Sequence, residues 1–454
     1  MSALKLHTLK QKLWAIVAAS FVLRVIVFYV LPNTPTNLAP DESAYSEITR
    51  RITTGEALDQ FGGLSKTSQT LVFPAAMFVR IGLDPLSATR LSALMYGFAA
   101  LVFLAYLISK VAHNHIDTAS EYKRTKNLVL ILFAIYSFLP SHLLWSILAL
   151  RESTMEFWVV LIFGSIFLIT HHSERSNKWN YLLLTCSIFL LFYTRLQVGL
   201  LLVISLIISL SLIHKVRNVR RVFFVVAITS AFSFSSLFIQ TNVEFKVVSL
   251  EAPTAEAPTA EAAVCQKNGQ VIYVKASRFL CEEFRKTTLE DITRPDEFIV
   301  GQITSIPERQ EANQANASSA IQTLSCPFEN EAETNKIGCL IWRAPYMTTT
   351  FLIRPIIGLD VTSHSSLFAA AENLLWSAGF IFILYSILKK RKIPYFRSLL
   401  PSILFFILYS VGAGSYEGNM GTAFRHKSLI LWVVLLLIFA LAWREPEEAR
   451  KTKE

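Results

Sequence analysis

The chain has 454 residues, of which 53% are hydrophobic and only 17% are charged. This composition excludes an ordinary soluble domain and indicates a polytopic membrane protein. The net charge of +10 does not indicate nucleic-acid binding, because the basic residues stand in short clusters between apolar runs. We therefore expect the membrane, and no nucleic acid, among the partners of this protein.

Apolar runs of roughly 17–25 residues can cross the hydrocarbon core, and such runs recur along the chain. We predict an all-α fold with about ten transmembrane helices. Two runs are short for a span and are candidates for tilted or broken helices. The first run carries Arg24 and lacks a clear small-residue cleavage site, so we expect it to remain as a signal anchor. The predicted spans are Leu13–Leu31, Ala88–Ser109, Asn127–Leu144, Ser153–Thr170, Tyr181–Thr194, Val198–Ile213, Val222–Ile239, Leu367–Leu388, Leu399–Val411 and Ser428–Trp443.

Lysine and arginine gather in alternate loops, and this asymmetry predicts the orientation of the chain. The basic clusters at the amino terminus, after the second span, in "HKVRNVRR", in "KKRK" and in the tail all face one side. We expect that side to be the cytoplasm of a bacterial cell, with both termini there and the spans in the plasma membrane. The segments Pro32–Thr70, Pro140–Glu152, Gln240–Ser366 and "GAGSYEGNMGTAFRHK" then face outward.

The chain divides into three predicted parts. Residues 1–239 form a transmembrane module with seven helices and outer loops, and residues 367–454 form a second module with three helices. The extracytoplasmic segment 240–366 lies between them. It opens on the repeat "EAPTAEAPTAEA", whose proline spacing and lack of bulky apolar groups indicate a linker over 251–262. A small domain over 263–345 follows, with strands predicted in "QVIYVKA" and "DEFIVGQITSI".

Cysteine usage agrees with an oxidising outer compartment. Four of the five cysteines, Cys265, Cys281, Cys326 and Cys339, lie in the outer segment, and their even number predicts a disulfide-stapled domain. Three connectivities are open, of which pairing between neighbours is the simplest. Metal binding is the weaker alternative, because the spacings are wide and no histidine stands among these cysteines. Cys186 should stay reduced.

Charged residues at the predicted membrane edge form three groups. Asp41 and Glu42 stand together in the outer loop "NLAPDESAYSEI", and Arg151 and Glu152 stand together in the next outer turn. Charges near lipid are costly, so such groups are either functional or ordinary interfacial charges. The third group is basic, with Arg354 in "LIRPIIGLD" and Arg425 and His426 in "EGNMGTAFRHKS". These side chains can donate hydrogen bonds to a phosphate group or anchor the helices at the interface.

The order of these residues resembles that in membrane glycosyltransferases with the C-type fold, which include protein O-mannosyltransferases and lipid A aminoarabinose transferases. In that family the first span carries an arginine, the first outer loop carries Asp-Glu followed by tyrosine, and the second span opens with Arg-Leu. Here these residues are Arg24, Asp41-Glu42, Tyr45 and Arg90-Leu91. Arg151-Glu152 resembles the second acidic motif of the family. The resemblance covers about the first hundred residues well and the next hundred loosely.

The resemblance implies a transferase that moves a sugar from a polyprenyl-phosphate donor to a glycan, lipid or protein acceptor at the outer face. It makes Asp41 the general base and places Glu42 and Glu152 beside it as catalytic residues. The substrate-binding residues would be Tyr45, Arg151, Arg354, Arg425 and His426. No cofactor is certain, and the spacing leaves open a divalent cation at Asp41 or Glu152.

Two other functions stay open at this stage. A polymerase or ligase of lipid-pyrophosphate-linked glycans would use Arg354 and the long outer segment, and Asp41 would be incidental. A non-catalytic transporter of lipid-linked sugars, or an assembly subunit, would bury ionisable groups in mid-span. Arg24 and Arg195 are among the few candidates for such groups in the predicted spans.

Overall fold

The computed structural model describes residues 2–36, 39, 41–56, 58, 68–114, 119–171, 178–212, 219–243, 263–267, 270–274, 335–361, 364–390, 396–417 and 420–442. Most of the predicted extracytoplasmic segment 240–366 lies outside these residues. The linker over 251–262, the strand in "DEFIVGQITSI" and the positions of Cys281 and Cys326 therefore stay predictions, as does the division of the chain into three parts.

Helices dominate the described residues. They are α1 Ser2–Val30, α2 Glu42–Thr54, α3 Gln69–Arg80, α4 Pro85–Asn114, α5 Ala119–Phe138, α6 Pro140–Trp145, α7 Glu152–His171, α8 Lys178–Phe192, α9 Leu196–Leu212, α10 Val219–Val243, α11 Asn335–Ile353, α12 His364–Lys390, α13 Phe396–Tyr416 and α14 Met420–Ala442. Strands β1, Ala263–Lys267, and β2, Gln270–Val274, pair antiparallel as a hairpin, and β2 falls within the predicted strand "QVIYVKA".

Six of the described helices contain stretches long and apolar enough to cross a membrane, and three shorter apolar helices accompany them. The prediction of a helical, multi-pass membrane protein is therefore confirmed, whereas the total of ten spans stays a prediction. The candidate spans are Thr8–Val30, Pro85–Lys110, Glu152–Ile169, Ser366–Lys389, Leu399–Tyr416 and Gly421–Ile438. The run that ends at Val411 in the sequence prediction continues to Tyr416, which makes α13 long enough to span.

Contacts and helix length show which residues lie at each end of the helical bundle. Near the start of α1, Lys126 Nζ donates a hydrogen bond to Thr8 Oγ1 over 2.7 Å, so these two residues share one end. At 1.5 Å per residue, α1 carries the chain roughly 40 Å from its first residue to Val30. The loop that holds Asp41 follows directly, at the opposite end. Lys126 and Asp41 therefore lie at opposite ends of the bundle.

The predicted span Asn127–Leu144 is two helices instead of one, and α5 ends at Phe138. Leu139 has an extended backbone with ψ 131°, and Pro140 begins α6. A proline disfavours the helical conformation in the residue before it, yet fits well at the first position of a new helix. The break makes room for the short α6 and the turn that leads to Glu152.

Helix α2 lies in the first predicted outer loop, α3 follows that loop, and both helices pack on α4. α2 is amphipathic, and its Tyr45 and Ile48 lie in a buried cluster with Leu71 of α3. Gly55 ends α2 with φ of 74°, a left-handed conformation that glycine adopts without strain. This packing holds the start of α2, and hence Asp41, against the bundle.

The predicted outer loop "GAGSYEGNMGTAFRHK" is largely helical, which corrects the sequence prediction. α13 continues to Tyr416, and α14 begins at Met420, so Arg425 and His426 lie on α14. Gly414 lies inside α13 at the point where α11 passes close to it. A Cβ atom placed there would lie 2.9 Å from the carbonyl oxygen of Met347. Small residues permit such close helix packing in membranes.

Cysteine placement is described only in part. Cys186 on α8 is a free, exposed cysteine. Cys265 lies on β1, and Cys339 is buried on α11. The partners of these residues in the predicted disulfides involve Cys281 and Cys326, so the connectivity stays a prediction. α11 begins inside the predicted outer domain and packs against α13.

Candidate functional site

Glu42 anchors the segment that carries Asp41. Arg90 Nε and Nη2 donate to Glu42 Oε1 and Oε2 at 2.8 and 2.9 Å, and the backbone N–H groups of Thr36 and Ala149 donate to the same carboxylate. The Glu42 side chain is fully buried. Burial alone would raise the pKa of Glu42, but these hydrogen bonds hold it below its usual value. Glu42 therefore holds together the loop, α4 and the turn before α7, and its oxygens do not face an acceptor.

Arg425 joins the two other predicted acids. Its Nη2 donates a hydrogen bond to Asp41 Oδ2 over 3.1 Å, and its Nε lies 3.0 Å from Glu152 Oε1 in an ion pair. Asp41 is half exposed, with 48% of its side chain accessible, whereas 7% of the Glu152 side chain is accessible. Glu152 also lies in the first turn of α7, where the helix dipole favours a negative charge.

His426, the next residue on α14, lies between three charged groups. Its Nδ1 is hydrogen-bonded to Glu417 Oε1, and its Nε2 lies 2.6 Å from Arg195 Nη1. Glu152 Oε1 is 3.6 Å from the same Nε2, too long for a hydrogen bond. Burial alone would raise the pKa of Glu417, but His426, Arg195 and Arg425 hold it below its usual value.

Tyr45 and Arg151 form the side of the cluster nearest α2. The Arg151 guanidinium carbon lies 5.6 Å from the centroid of the Tyr45 ring, within the range of a cation–π contact. Arg151 Nη1 also donates to the carbonyl oxygen of Thr194 over 3.4 Å. The Thr194 hydroxyl in turn bonds to that of Thr70 at 2.7 Å. These contacts bring the α8–α9 bend to the site.

Arg354 does not join this cluster through its side chain. Its Nη2 lies 2.8 Å from Asp360 Oδ1, and Asp360 also accepts a hydrogen bond from the Ile356 N–H. Lys427 donates to the carbonyl oxygen of Arg354 over 2.8 Å, to that of Leu352, and to Asn373 Oδ1. Lys427 thereby ties α14 to the end of α11 and to α12. The Arg354 backbone therefore lies beside the cluster, while its side chain pairs with Asp360.

Arg24 belongs to a separate buried network, although the family resemblance included it. The guanidinium donates to Ser146 Oγ over 2.8 Å and to His142 Nδ1 over 3.0 Å. His142 Nε2 lies 3.0 Å from both carboxylate oxygens of Glu156, which also contacts Tyr136. Arg24 stabilises α6 and the turn that follows it, through Ser146 and His142, and does not contact Asp41.

The residues described here contain no group of three or more histidine, cysteine, aspartate or glutamate side chains that could hold a metal ion. Asp41 and Glu152, the acids left open for a divalent cation, both contact Arg425 instead. In this arrangement a guanidinium occupies the place between the two carboxylates.

Two members of the cluster, Arg195 and Glu417, were not among the predicted site residues. Arg195 appeared in the sequence only as an ionisable group within an apolar region, and Glu417 only as part of a glycine-rich stretch. The available signal was their charge next to long apolar runs, which is costly unless the group is paired. Their partner His426 is 231 positions from Arg195, so no local spacing reveals the contact.

Comparisons with known proteins give no further identification. No protein-family model matches the sequence, and no curated protein or solved structure is significantly similar to it.

Proposed function

We propose that this protein is a membrane glycosyltransferase of the C-type, in which Asp41 is the general base. The sugar would come from a polyprenyl-phosphate donor, and the acceptor hydroxyl would reach the site from the aqueous side. The proposal rests on the sequence resemblance together with the contacts around Asp41.

One observation carries the proposal: Arg425 contacts both Asp41 and Glu152 at one end of the bundle. Three distant segments supply these residues, namely the loop before α2, the start of α7 and the first turns of α14. Bringing an acid and a basic group together at a membrane edge suits a reaction that removes a proton and releases a phosphate.

Exposure assigns different roles to the two acids. Asp41, with 48% of its side chain accessible, can reach an acceptor hydroxyl. Glu152 is buried against Arg425 and lies near His426, so it holds the basic groups in place. Asp41 is therefore the base in this proposal, and Glu152 is a positioning residue.

The proposed step conserves atoms and charge. The acceptor oxygen attacks the anomeric carbon of the sugar while Asp41 takes the hydroxyl proton, and the bond from that carbon to the phosphate oxygen breaks. Polyprenyl phosphate leaves with the bonding electron pair. Arginine side chains near the phosphate stabilise its developing charge through charge-assisted hydrogen bonds.

The contacts of Arg354 favour this function over a polymerase or ligase centred on that residue. Asp360 takes up the Arg354 guanidinium, with Nε donating over 3.1 Å and Nη2 at 2.8 Å. A phosphate would have to displace that acid before it could bind there.

The test follows the release of polyprenyl phosphate from a panel of labelled polyprenyl-phosphate sugars in reconstituted vesicles. Asp41→Asn keeps the size of the side chain and removes its basicity, so transfer should fall by roughly 10²–10⁴-fold. Glu47→Gln, which alters a partly exposed carboxylate on α2, is the matched control and should keep normal transfer. Near-normal transfer by well-folded Asp41→Asn would remove Asp41 as the base. A wild-type protein inactive on the whole panel would contradict the proposed function.

A further inference from the structure

Arg195 occupies the bend between α8 and α9 and points into the Asp41 site. Its N–H donates to Leu191 O over 2.9 Å, which continues the last turn of α8, and its guanidinium contacts His426 on α14. The residue is only partly buried. Arg195 therefore combines a fixed backbone with a side chain that is open to a ligand.

The contact with Arg195 determines the tautomer of His426. A guanidinium is always protonated and can only donate, so Nε2 must be the acceptor in the 2.6 Å contact. The ring proton then lies on Nδ1, where it donates to Glu417. His426 is thus a neutral imidazole in this arrangement, because a proton on Nε2 would face the guanidinium.

Charge pairing differs between Arg195 and Arg425. Two carboxylates, those of Asp41 and Glu152, contact Arg425 directly. Glu417 contacts His426, and among the described carboxylates none forms an ion pair with Arg195. The Arg195 guanidinium is therefore in direct contact with a neutral acceptor, and the carboxylates of Glu417 and Glu152 act on its charge only through space. A group of that kind is suited to bind an anion.

We propose that Arg195 binds the phosphate group of the lipid-linked donor, and that His426, fixed by Glu417, is the positioning residue that aims it. This assignment rests on the proposed function and deepens it. It gives Arg425 the task of holding Asp41 and Glu152, and it gives the phosphate to a residue that the sequence motifs did not include. His426 acts through Arg195 instead of touching the phosphate.

The first experiment measures binding of a short-chain prenyl phosphate to the purified protein in lipid nanodiscs, with inorganic phosphate as a second ligand. Arg195→Gln should weaken prenyl phosphate binding by roughly 10–100-fold, the range expected for loss of hydrogen bonds to a charged group. Arg195→Lys keeps the charge and should retain part of the affinity. Arg80→Gln removes an exposed arginine at the end of α3 and serves as the matched control. Competition by inorganic phosphate at similar concentrations would assign the site to free phosphate and would overturn a lipid donor.

The second experiment tests the positioning role of His426. His426→Gln offers one donor and one acceptor, as the neutral ring does, whereas His426→Leu offers neither. In transfer assays His426→Leu should raise the KM for the donor more than it lowers kcat, and His426→Gln should restore much of the loss. Equal damage by both variants, with the same fall in unfolding temperature, would show that His426 only supports the fold.

The outcomes separate this inference from the proposed function, because binding is measured without transfer. If the wild type transfers sugar and Arg195→Gln binds prenyl phosphate normally, the assignment of Arg195 is wrong and the transferase stands. If the wild type binds prenyl phosphate through Arg195 but transfers no sugar, the phosphate site stands and the proposed function fails. Misfolding of Arg195→Gln leaves Arg195→Lys as the decisive variant, in which a partial loss of prenyl phosphate affinity would support the contact and wild-type affinity would contradict it.

Discussion

Arg425 Nη2 donates a hydrogen bond to Asp41 Oδ2 over 3.1 Å, although the two residues are 384 positions apart in the chain. The same guanidinium lies 3.0 Å from Glu152 Oε1, so one basic side chain holds two acids. The contact joins the loop before α2 to α14, near the two ends of the sequence. Its loss should affect both the stability of the bundle end and the chemistry proposed there.

Arg425→Gln should destabilise the protein by about 3–5 kcal/mol, because it leaves the buried Glu152 carboxylate without its guanidinium. The double variant Arg425→Gln with Glu152→Gln removes the unpaired charge and should recover most of that stability while staying inactive in transfer. Thermal unfolding in detergent, followed by circular dichroism, measures both variants. A double variant no more stable than the single one would show that Glu152 does not depend on Arg425.

Glu42 and Arg90 should make the stability of the loop before α2 depend on pH. The pKa of Glu42 is lower in the folded protein than its usual 4.5, so its ion pair stabilises the fold fully above that pH. This stabilisation is lost as the pH falls through the folded pKa. Glu42→Gln should therefore lower the unfolding temperature strongly at pH 7 and progressively less as the pH falls below 4.5 and through the folded pKa.

The matched control for this prediction is Glu47→Gln on the same helix. Glu47 pairs with Arg50 and Arg51 at the surface, with 35% of its side chain accessible, and exposed pairs contribute at most about 1 kcal/mol. Its variant should stay close to wild type at pH 7. A Glu42→Gln protein with an unchanged unfolding temperature at pH 7 would contradict an anchoring role for Glu42.

Apolar runs predicted the positions of the long helices, because a membrane span has to be apolar over most of its length. The exceptions have local physical causes. Pro140 splits a predicted span into α5 and α6, and the glycine-rich stretch continues as helix α13, where Gly414 permits the close approach of α11. α2 and α3 were harder to place, since at 13 and 12 residues they are too short to span a membrane.

The site was predictable to the extent that its residues carry charge at the ends of spans. Asp41, Glu152, Arg425 and His426 are brought together as a cluster. Their individual contacts were not predictable, because Glu42 and Asp41 are adjacent in sequence yet one is buried and the other is half exposed. Only the tertiary positions of α4 and α14 decide that Glu42 pairs with Arg90 and Asp41 pairs with Arg425.

Gly97 on α4 should not tolerate a larger side chain. A Cβ atom at this position would lie 2.5 Å from Ser146 Cβ, and Ser146 Oγ accepts a hydrogen bond from Arg24. Gly97→Ala should therefore destabilise the protein by about 1–3 kcal/mol, as overpacking in a core does. Gly338 on α11 has open space around it, so Gly338→Ala should be neutral or slightly stabilising. Equal unfolding temperatures for both variants would contradict close packing of α4 on the turn after α6.

Two substitutions of Tyr45 can test packing and substrate binding separately, because its ring and its hydroxyl have different surroundings. The ring is 2% exposed within a buried cluster and faces Arg151, whereas the hydroxyl has no hydrogen-bond partner among the described residues. Burial raises the pKa of Tyr45 to about 12, so the hydroxyl stays protonated and can donate to a substrate at neutral pH.

Tyr45→Phe should therefore keep the unfolding temperature near that of wild type and raise the KM for donor or acceptor by roughly 2–10-fold, the value of one neutral hydrogen bond. Tyr45→Ala should lose about 3–5 kcal/mol of stability, because it leaves a cavity beside Ile48 and Leu71 and removes the ring under Arg151. Unfolding temperatures and steady-state kinetics of the two variants provide the measurement. If Tyr45→Phe changes neither KM nor kcat, Tyr45 is a packing residue only, and its predicted place in substrate binding is wrong.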